Sequence, residues 1–299
     1  MRRGDRVVRS SNRMHRLPSA VIVTALAAVA AIAPTRAQAL IVNGEYTVDE
    51  ATNTTPQVFS DIVVGDTQGG AVGVGTLSIL DGRLVRSTAG ATIARALSIL
   101  RSATGTVEVR GSASRLDVAG TLFIGLNGVS STRTADGFLN IGARGQVRAL
   151  QVVLCPNAPP SSGTVTVSGP AGLLEVLENL VLNENTNQSS TVTIGPGGTV
   201  SIGTTIDVFG GGTVILEGGT LSLTGPAAAP PAANLQYDSG IFRFRASQAL
   251  SGGPGFFTDH FGSPPVLAAG RGLVIDGTTT LTTSLRLDGG SLRTERIVA

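Results

Sequence analysis

Between Gly75 and Leu223 one short phrase recurs six times: a glycine or serine, usually a Thr-Val or Thr-Leu pair, then a polar and an aliphatic residue. It reads Gly75-Thr-Leu-Ser-Ile79, Gly105-Thr-Val-Glu-Val109, Gly137-Phe-Leu-Asn-Ile141, Gly163-Thr-Val-Thr-Val167, Ser190-Thr-Val-Thr-Ile194 and Gly212-Thr-Val-Ile-Leu216. The starts are 30, 32, 26, 27 and 22 residues apart. Self-similarity at this period marks units that cannot bury an apolar face alone and must stack on their neighbours. Within a phrase such as Thr106-Val-Glu-Val109, polar and apolar residues alternate with period two. Val107 and Val109 therefore share one side of a strand, and Thr106 and Glu108 share the other.

A second strand opening follows each phrase seven to nine residues later, at Gly82, Ser114, Gly145, Gly172, Gly198 and Gly219. A third strand is expected in most units, at Leu97-Ser-Ile-Leu100, Thr121-Leu-Phe-Ile124, Leu150-Gln-Val-Val-Leu154, Asn179-Leu-Val-Leu182 and Thr205-Ile-Asp-Val-Phe209. Three short strands with glycine-bearing corners close a triangular rung, and rungs pair in parallel about 4.8 Å apart. The expected fold is all-β, a right-handed parallel β-helix with three short strands per coil. An antiparallel sandwich is the rival for evenly spaced strands, but it needs dissimilar strands rather than triplets that resemble each other. With 40 glycines and only 4% aromatic residues, a thick aromatic-filled globule is disfavoured.

Residues 1 to 16 carry six arginines, residues 20 to 33 are an almost unbroken apolar run, and Ala37-Gln-Ala39 follows. This order reads as a cleaved secretory signal peptide over residues 1 to 39. Its apolar run is too short to span a bilayer as a helix. The pair Arg2-Arg3 lacks the apolar residues that a twin-arginine signal wants, and Arg3-Gly4-Asp5 lies in the part removed. The leader holds seven of the 22 basic residues, all arginine, so residues 40 to 299 carry a net charge of about −4. No arginine cluster remains for phosphate, and nucleic acid is not an expected partner.

The chain then divides into an N-terminal cap and first coil (40 to 74), the repeat β-helix (75 to 223), a Pro/Ala-rich loop (224 to 234) and C-terminal coils with an aromatic loop (235 to 299). The polar insert Asn127 to Asp136, the proline-rich insert Cys155 to Ser162 and the Asn/Ser-rich insert Asn183 to Ser190 map to corners, where binding surfaces of stacked folds often lie.

The wording Gly163-Thr-Val-Thr-Val-Ser-Gly-Pro-Ala-Gly-Leu-Leu-Glu-Val176, with Asn179-Leu-Val-Leu182 and Ser190-Thr-Val-Thr-Ile-Gly-Pro-Gly-Gly-Thr-Val-Ser-Ile-Gly203, resembles the T5SS/PEP-CTERM-associated repeat of secreted and surface proteins of Gram-negative bacteria and of autotransporter passengers. The resemblance covers about residues 75 to 223. It implies a right-handed parallel β-helix at or beyond the cell surface. Neither a Pro-Glu-Pro sorting tail nor a barrel-forming translocator is found in the sequence, so the resemblance leaves the mode of anchoring open.

Catalytic, cofactor and metal sites are expected to be none. Secreted β-helices include polysaccharide lyases and hydrolases, whose sites bring carboxylates together on one face. Here Asp117 and Glu175 fall at equivalent second-strand positions two rungs apart, while Asp207 and Glu217 stand alone. Asp117, Arg115 and Glu175 are the first residues to inspect for activity. His260, beside Asp259, is the one histidine after the leader, and it is expected to pack over the coils rather than to act as a base. Cys155 is expected to be a buried apolar residue. Gly210-Gly-Gly-Thr-Val-Ile215 lacks the aspartate of a calcium nonapeptide. Asn53 and Asn187 match the N-glycosylation pattern. The expected function is an exported structural or adhesive surface module that meets extracellular glycan or cell-surface material through its corner loops and associates end to end. A carbohydrate-active enzyme and an autotransporter passenger fragment are the alternatives.

Overall fold

The structure is a computed structural model and describes residues 38–49, 56–67, 73–97, 101–128, 133–156, 160–183, 188–251 and 253–299. The leader up to residue 37, Asn53 and Asn187 lie outside the described residues, as do parts of the three corner inserts. The chain is nearly all β, a parallel solenoid of about eight turns. No helix among the described residues is long and apolar enough to cross a membrane.

Strands are numbered in chain order. The first face stacks β2 (Gly44–Val48), β5 (Gly73–Ile79), β8 (Ala103–Val109), β10 (Ala135–Ile141), β12 (Ser162–Val167) and β15 (Ser189–Ile194). It ends on the opening halves of β18 (Thr213–Leu223) and β19 (Leu235–Phe244). The second face begins with β3 (Gln57–Phe59), β6 (Leu84–Ser87) and the opening halves of β9 (Arg115–Asn127) and β11 (Gln146–Leu154). It continues through β13 (Gly172–Val176), β16 (Gly198–Ile202) and the closing halves of β18 and β19 to β22 (Arg271–Leu281) and β24 (Ser291–Val298). The third face holds β1 (Leu40–Val42), β4 (Ile62–Asp66), β7 (Ala91–Ala96), the closing halves of β9 and β11, β14 (Leu180–Leu182) and β17 (Ile206–Val208). Every one of these pairings is parallel, which rules out the sandwich.

The phrases stack in the register that the sequence proposes: Gly75 opposite Gly105, Gly105 opposite Gly137, Gly137 opposite Gly163, and Gly163 opposite Ser190. Gly44 opposite Gly75 adds a further turn at the start. Val107, Leu139, Val165, Val192 and Val214 form one inward column, each at most 1% exposed. Burying one such side chain contributes about 1.5–3 kcal/mol, which no single rung could secure without cover above and below.

Corner glycines such as Gly82, Gly111 and Gly169 do have positive φ, and the leading glycines are required for a different reason. None of Gly75, Gly105, Gly137 or Gly163 has positive φ; the third-face corner that passes them does, with Gly65, Ala94, Gly125, Cys155 and Asn183 all left-handed. That bend carries backbone over the glycine. A Cβ at Gly75 would lie 2.1 Å from Val42 O, at Gly105 2.3 Å from Val64 O, and at Gly137 2.6 Å from Gly125 N. At Gly163 the nearest atom is Ile124 O at 3.0 Å, and the next position is Ser190. The crossing opens along the stack until a side chain fits.

Two local expectations are corrected. The third strand of the second coil is Ala91–Ala96 rather than the segment from Leu97, which is itself exposed, with residues 98–100 outside the described set. Alanine-rich text hid it: Ala94, Ala96, Ala103 and Ala135 pack together where the corner is tight. On the second face, Leu84 pairs with Arg115 and Val85 with Leu116, one residue off the alignment of Gly82 with Ser114.

After β18 the third face is interrupted. Residues 224 to 234 are not a plain linker but two short 3-10 turns, Pro226–Ala228 and Ala232–Asn234, with Ala228 buried. The aromatic loop contains helix α1 (Phe256–Phe261). The helix packs Phe256, Phe257 and Phe261 against Phe242 and Phe244 of β19, with ring centroids 5.2 to 6.3 Å apart. Strand β20 (Gln248–Leu250) resumes the third face and pairs with the closing half of β22. Finally β21 (Val266–Ala268) and β23 (Arg286–Asp288) form a two-stranded parallel pair.

Tyr237 anchors this junction. Its hydroxyl accepts from the Gly272 N–H at 2.9 Å and lies 3.0 Å from the carbonyls of Gly240 and Gly272, one of which takes its proton. Burial pushes the phenol up to about 12, against about 10 when unfolded. The folded state therefore favours the protonated ring. This contribution to stability is fully present below pH about 10 and is lost as pH rises through about 12. Absorbance titration of a Tyr46→Phe variant is expected to show Tyr237 ionising late when folded and near pH 10 in denaturant.

Candidate functional site

The outer faces carry what chemistry the fold displays. On the first face the outward residues align in two columns. One contains Thr76, Thr106, Phe138, Thr164, Thr191 and Thr213; the other contains Ser78, Glu108, Asn140, Thr166, Thr193 and Ile215. Neighbours along a column stand about 4.8 Å apart, and the two columns are two residues, about 6.7 Å, apart. β-branched threonine is stiff at χ1, so the first column, five threonines and Phe138, holds its hydroxyl and methyl groups in restricted directions.

The second face carries a charge ladder. Arg86, Asp117, Arg148 and Glu175 occupy one register position on successive turns. Asp117 and Glu175 are thus equivalent, two rungs apart, as expected. Sequence reading missed that an arginine stands between them; a one-residue shift of the second-coil alignment would have revealed the alternation. Arg86 bonds Asp117 at 3.2 Å, Arg115 bonds the other Asp117 oxygen, and Arg148 bonds Glu175 at 3.2 Å. Ser87, Val118, Ala119 and Leu177 join the ladder around a shallow cleft of about 290 Å³. Each of these two carboxylates is thus engaged by a guanidinium.

A second cleft of about 470 Å³ lies on the same face near the chain's end, lined by Ile241, Arg243, Asp276, Arg293, Thr294 and Glu295 among others. Arg243 bonds Asp276 at 2.9 Å. Among the described residues the most enclosed ion pair belongs to the third face, where Arg95 grips Asp66 through two bonds of 3.1 and 2.7 Å, and the Asp66 N–H donates to the Asn43 side chain at 2.8 Å. Neither grouping was anticipated, because the partners are 29 to 33 residues apart in sequence.

The remaining candidates are placed as follows. Asp207 accepts from the Thr205 hydroxyl at 3.2 Å, and Glu217 is exposed. His260 sits on α1, stacked on Phe256, with Nδ1 2.8 Å from Phe256 O and Nε2 3.2 Å from Pro230 O. The ring nitrogens thus face two backbone carbonyls, one on α1 and one in the Pro/Ala segment, and the ring N–H donates to one of them. Among the described residues, no three His, Cys, Asp or Glu side chains converge to hold a metal.

Cys155 follows β11 at a left-handed corner, fully buried, with Sγ 3.6 Å from Ser189 O. Burial pushes its thiol up to about 12, so the reactive thiolate is scarce near neutral pH. A thiol-specific chromogenic reagent is expected to leave it untouched in the folded protein and to titrate one thiol after denaturation. Prompt reaction without denaturant would contradict this placement.

Asn127 and Asn183 hold the bases of two corner inserts. The Asn127 side chain donates to Arg133 O at 2.6 Å, and that of Asn183 to Gln188 O at 3.0 Å. These clasps fix where each insert leaves and rejoins the coil. Comparison of the chain with protein-family models, curated proteins and solved structures returns no match.

Proposed function

We propose that this protein is an exported structural or adhesive surface module whose stacked outer faces and corner inserts meet extracellular glycan or other cell-surface material. The observation that carries the reading is the in-register display: a threonine-rich column on the first face and mutually bonded charges on the second, at one rung's spacing along the stack. Such a surface offers several similar weak contacts in a line, which suits adhesion to a repetitive polymer through multivalency. The leader-like first 39 residues and the resemblance of residues 75 to 223 to the T5SS/PEP-CTERM-associated repeat support export.

The test is a glycan array probed with the secreted protein, beside fractionation of the secreting cells. Saturable binding to extended polysaccharide with protein in the surface or medium fraction is expected. Binding that is lost in Thr164→Val/Thr166→Val but kept in Asp117→Ala would place it on the first face. Asp117→Ala is expected to cost no more than about 1 kcal/mol of stability, since its partner Arg86 is half exposed. Polysaccharide turnover abolished by Asp117→Ala would instead make the protein an enzyme.

A further inference from the structure

We propose that the middle of the second face is a docking surface for a second copy of this chain, with the two solenoids lying side by side and running in opposite directions. Its outward residues form two columns on four successive turns. One reads Leu84, Arg115, Gln146, Leu173, and the other reads Arg86, Asp117, Arg148, Glu175. The second column is antisymmetric in charge about its midpoint. Consider a two-fold axis lying in the face, parallel to the strands, between the turns of Asp117 and Arg148. It exchanges the first turn with the fourth and the second with the third. Arg86 then faces Glu175 of the second copy, and Asp117 faces Arg148 of the second copy, each pair occurring twice. The same operation brings Leu84 against Leu173 and Arg115 against the Gln146 amide. An axis along the stack would set every charge opposite its own like, which is costly. The charge order therefore selects the antiparallel arrangement.

Bonds along the ladder do not exhaust these groups. Arg86, Arg148 and Glu175 keep 51%, 46% and 42% of their side-chain surface open to water, and a guanidinium carries five N–H donors. Leu84 and Leu173 point outward and are only partly covered, whereas the next residues, Val85 and Leu174, are fully buried. The shallow cleft lined by Arg86, Asp117, Arg148 and Leu177 straddles the axis, so pairing closes it. The three corner inserts leave and rejoin the coil between the third and first faces, away from this surface. The rungs from β3 to β16 make a face of about 29 by 17 Å. That is short of the roughly 800 Å² per partner of a standard interface, so the dimer forms with a marked concentration dependence. Both first faces remain outward, and the pairing does not depend on what they bind.

The experiment is sedimentation velocity on the secreted protein over a hundredfold range of concentration, at low salt and at about 1 M salt, where the Debye length falls to about 3 Å. A reversible monomer–dimer equilibrium with no larger species is expected, shifted toward monomer by salt. Leu173→Asp should yield monomer with an unchanged far-ultraviolet circular dichroism spectrum, since that side chain faces outward. Arg86→Glu should weaken association about tenfold by facing Glu175 of the second copy, and adding Glu175→Arg should restore it. Spin labels at Thr220, in a Cys155→Ala background, read the orientation. Thr220 lies two turns beyond Leu173, so the antiparallel dimer sets its two labels about seven rungs apart along the stack and about 10 Å apart between faces, about 35 Å in all. Monomer at every concentration, open-ended growth, a dimer indifferent to Leu173→Asp and to the charge exchange, or labels only about 10 Å apart would overturn the proposal.

Discussion

Gly105→Val is expected to prevent stable stacking of the turns around β8, at a cost of at least ~3 kcal/mol, the upper end of ordinary overpacking. The reason is the identity of the atoms in the way. A Cβ there meets Val64 O at 2.3 Å and Ala94 N at 2.4 Å, both backbone, the first in the β4–β7 ladder and the second at the left-handed corner of β7. Neither can rotate aside as a side chain would. Gly163→Ala provides the internal comparison. Its nearest contacts, Ile124 O at 3.0 Å and Leu154 Cβ at 3.1 Å, need only a few tenths of an ångström, and the variant should stay within about 1 kcal/mol of the parent. Urea denaturation of the two variants measures both. Equal losses at the two glycines would show that the crossing does not open along the stack.

Phe242→Ala is expected to cost about 3–5 kcal/mol, the range for truncating a fully buried aromatic side chain. Phe242 is completely buried and sits at the centre of the aromatic group, edge-on to Tyr237 at 5.0 Å and to Phe256 at 5.4 Å. At this junction the third-face strand gives way to 3-10 turns and α1, so rings replace the strand that would otherwise close the core. Its loss should loosen the C-terminal coils before the repeat region. Hydrogen exchange would show residues 235 to 281 losing protection while β8 to β15 keep theirs. Uniform loss along the whole chain would mean that the two regions unfold as one unit.

Much of the repeat region was legible because one physical requirement wrote the same words in every turn. Val107, Val165 and Val192 had to line one column, so alternation and period were both visible, and the strand pairing follows them. What stayed hidden depended on features with weak sequence signatures. Half of strand β7 is alanine, packed where its corner is crowded, and alanine advertises no strand. Helix α1 is six residues long, too short to show a helical period. The role of the leading glycines stayed hidden because a close approach by another turn's carbonyl is invisible in local sequence, whereas the positive φ expected of corner glycines is found at Gly82, Gly111 and Gly169.

The candidate chemistry followed the same division. The equivalence of Asp117 and Glu175 could be read from the repeat. That Arg86 and Arg148 complete an alternating ladder required the register of the second face to be right to the residue. The Asp66–Arg95 and Arg243–Asp276 pairs join residues a full turn apart, where only the fold brings them together.

The most direct test of parallel stacking in register is a set of spin-label distances along one outward column. Labels at Thr76 paired in turn with Thr164, Thr191 and Thr213, in a Cys155→Ala background, lie three, four and five rungs apart. Stacking predicts backbone separations of about 14, 19 and 24 Å, a constant step whatever the sequence distance between labels. Separations that do not lengthen by one rung at each step, or that shorten between Thr191 and Thr213 as a hairpin would require, would contradict it.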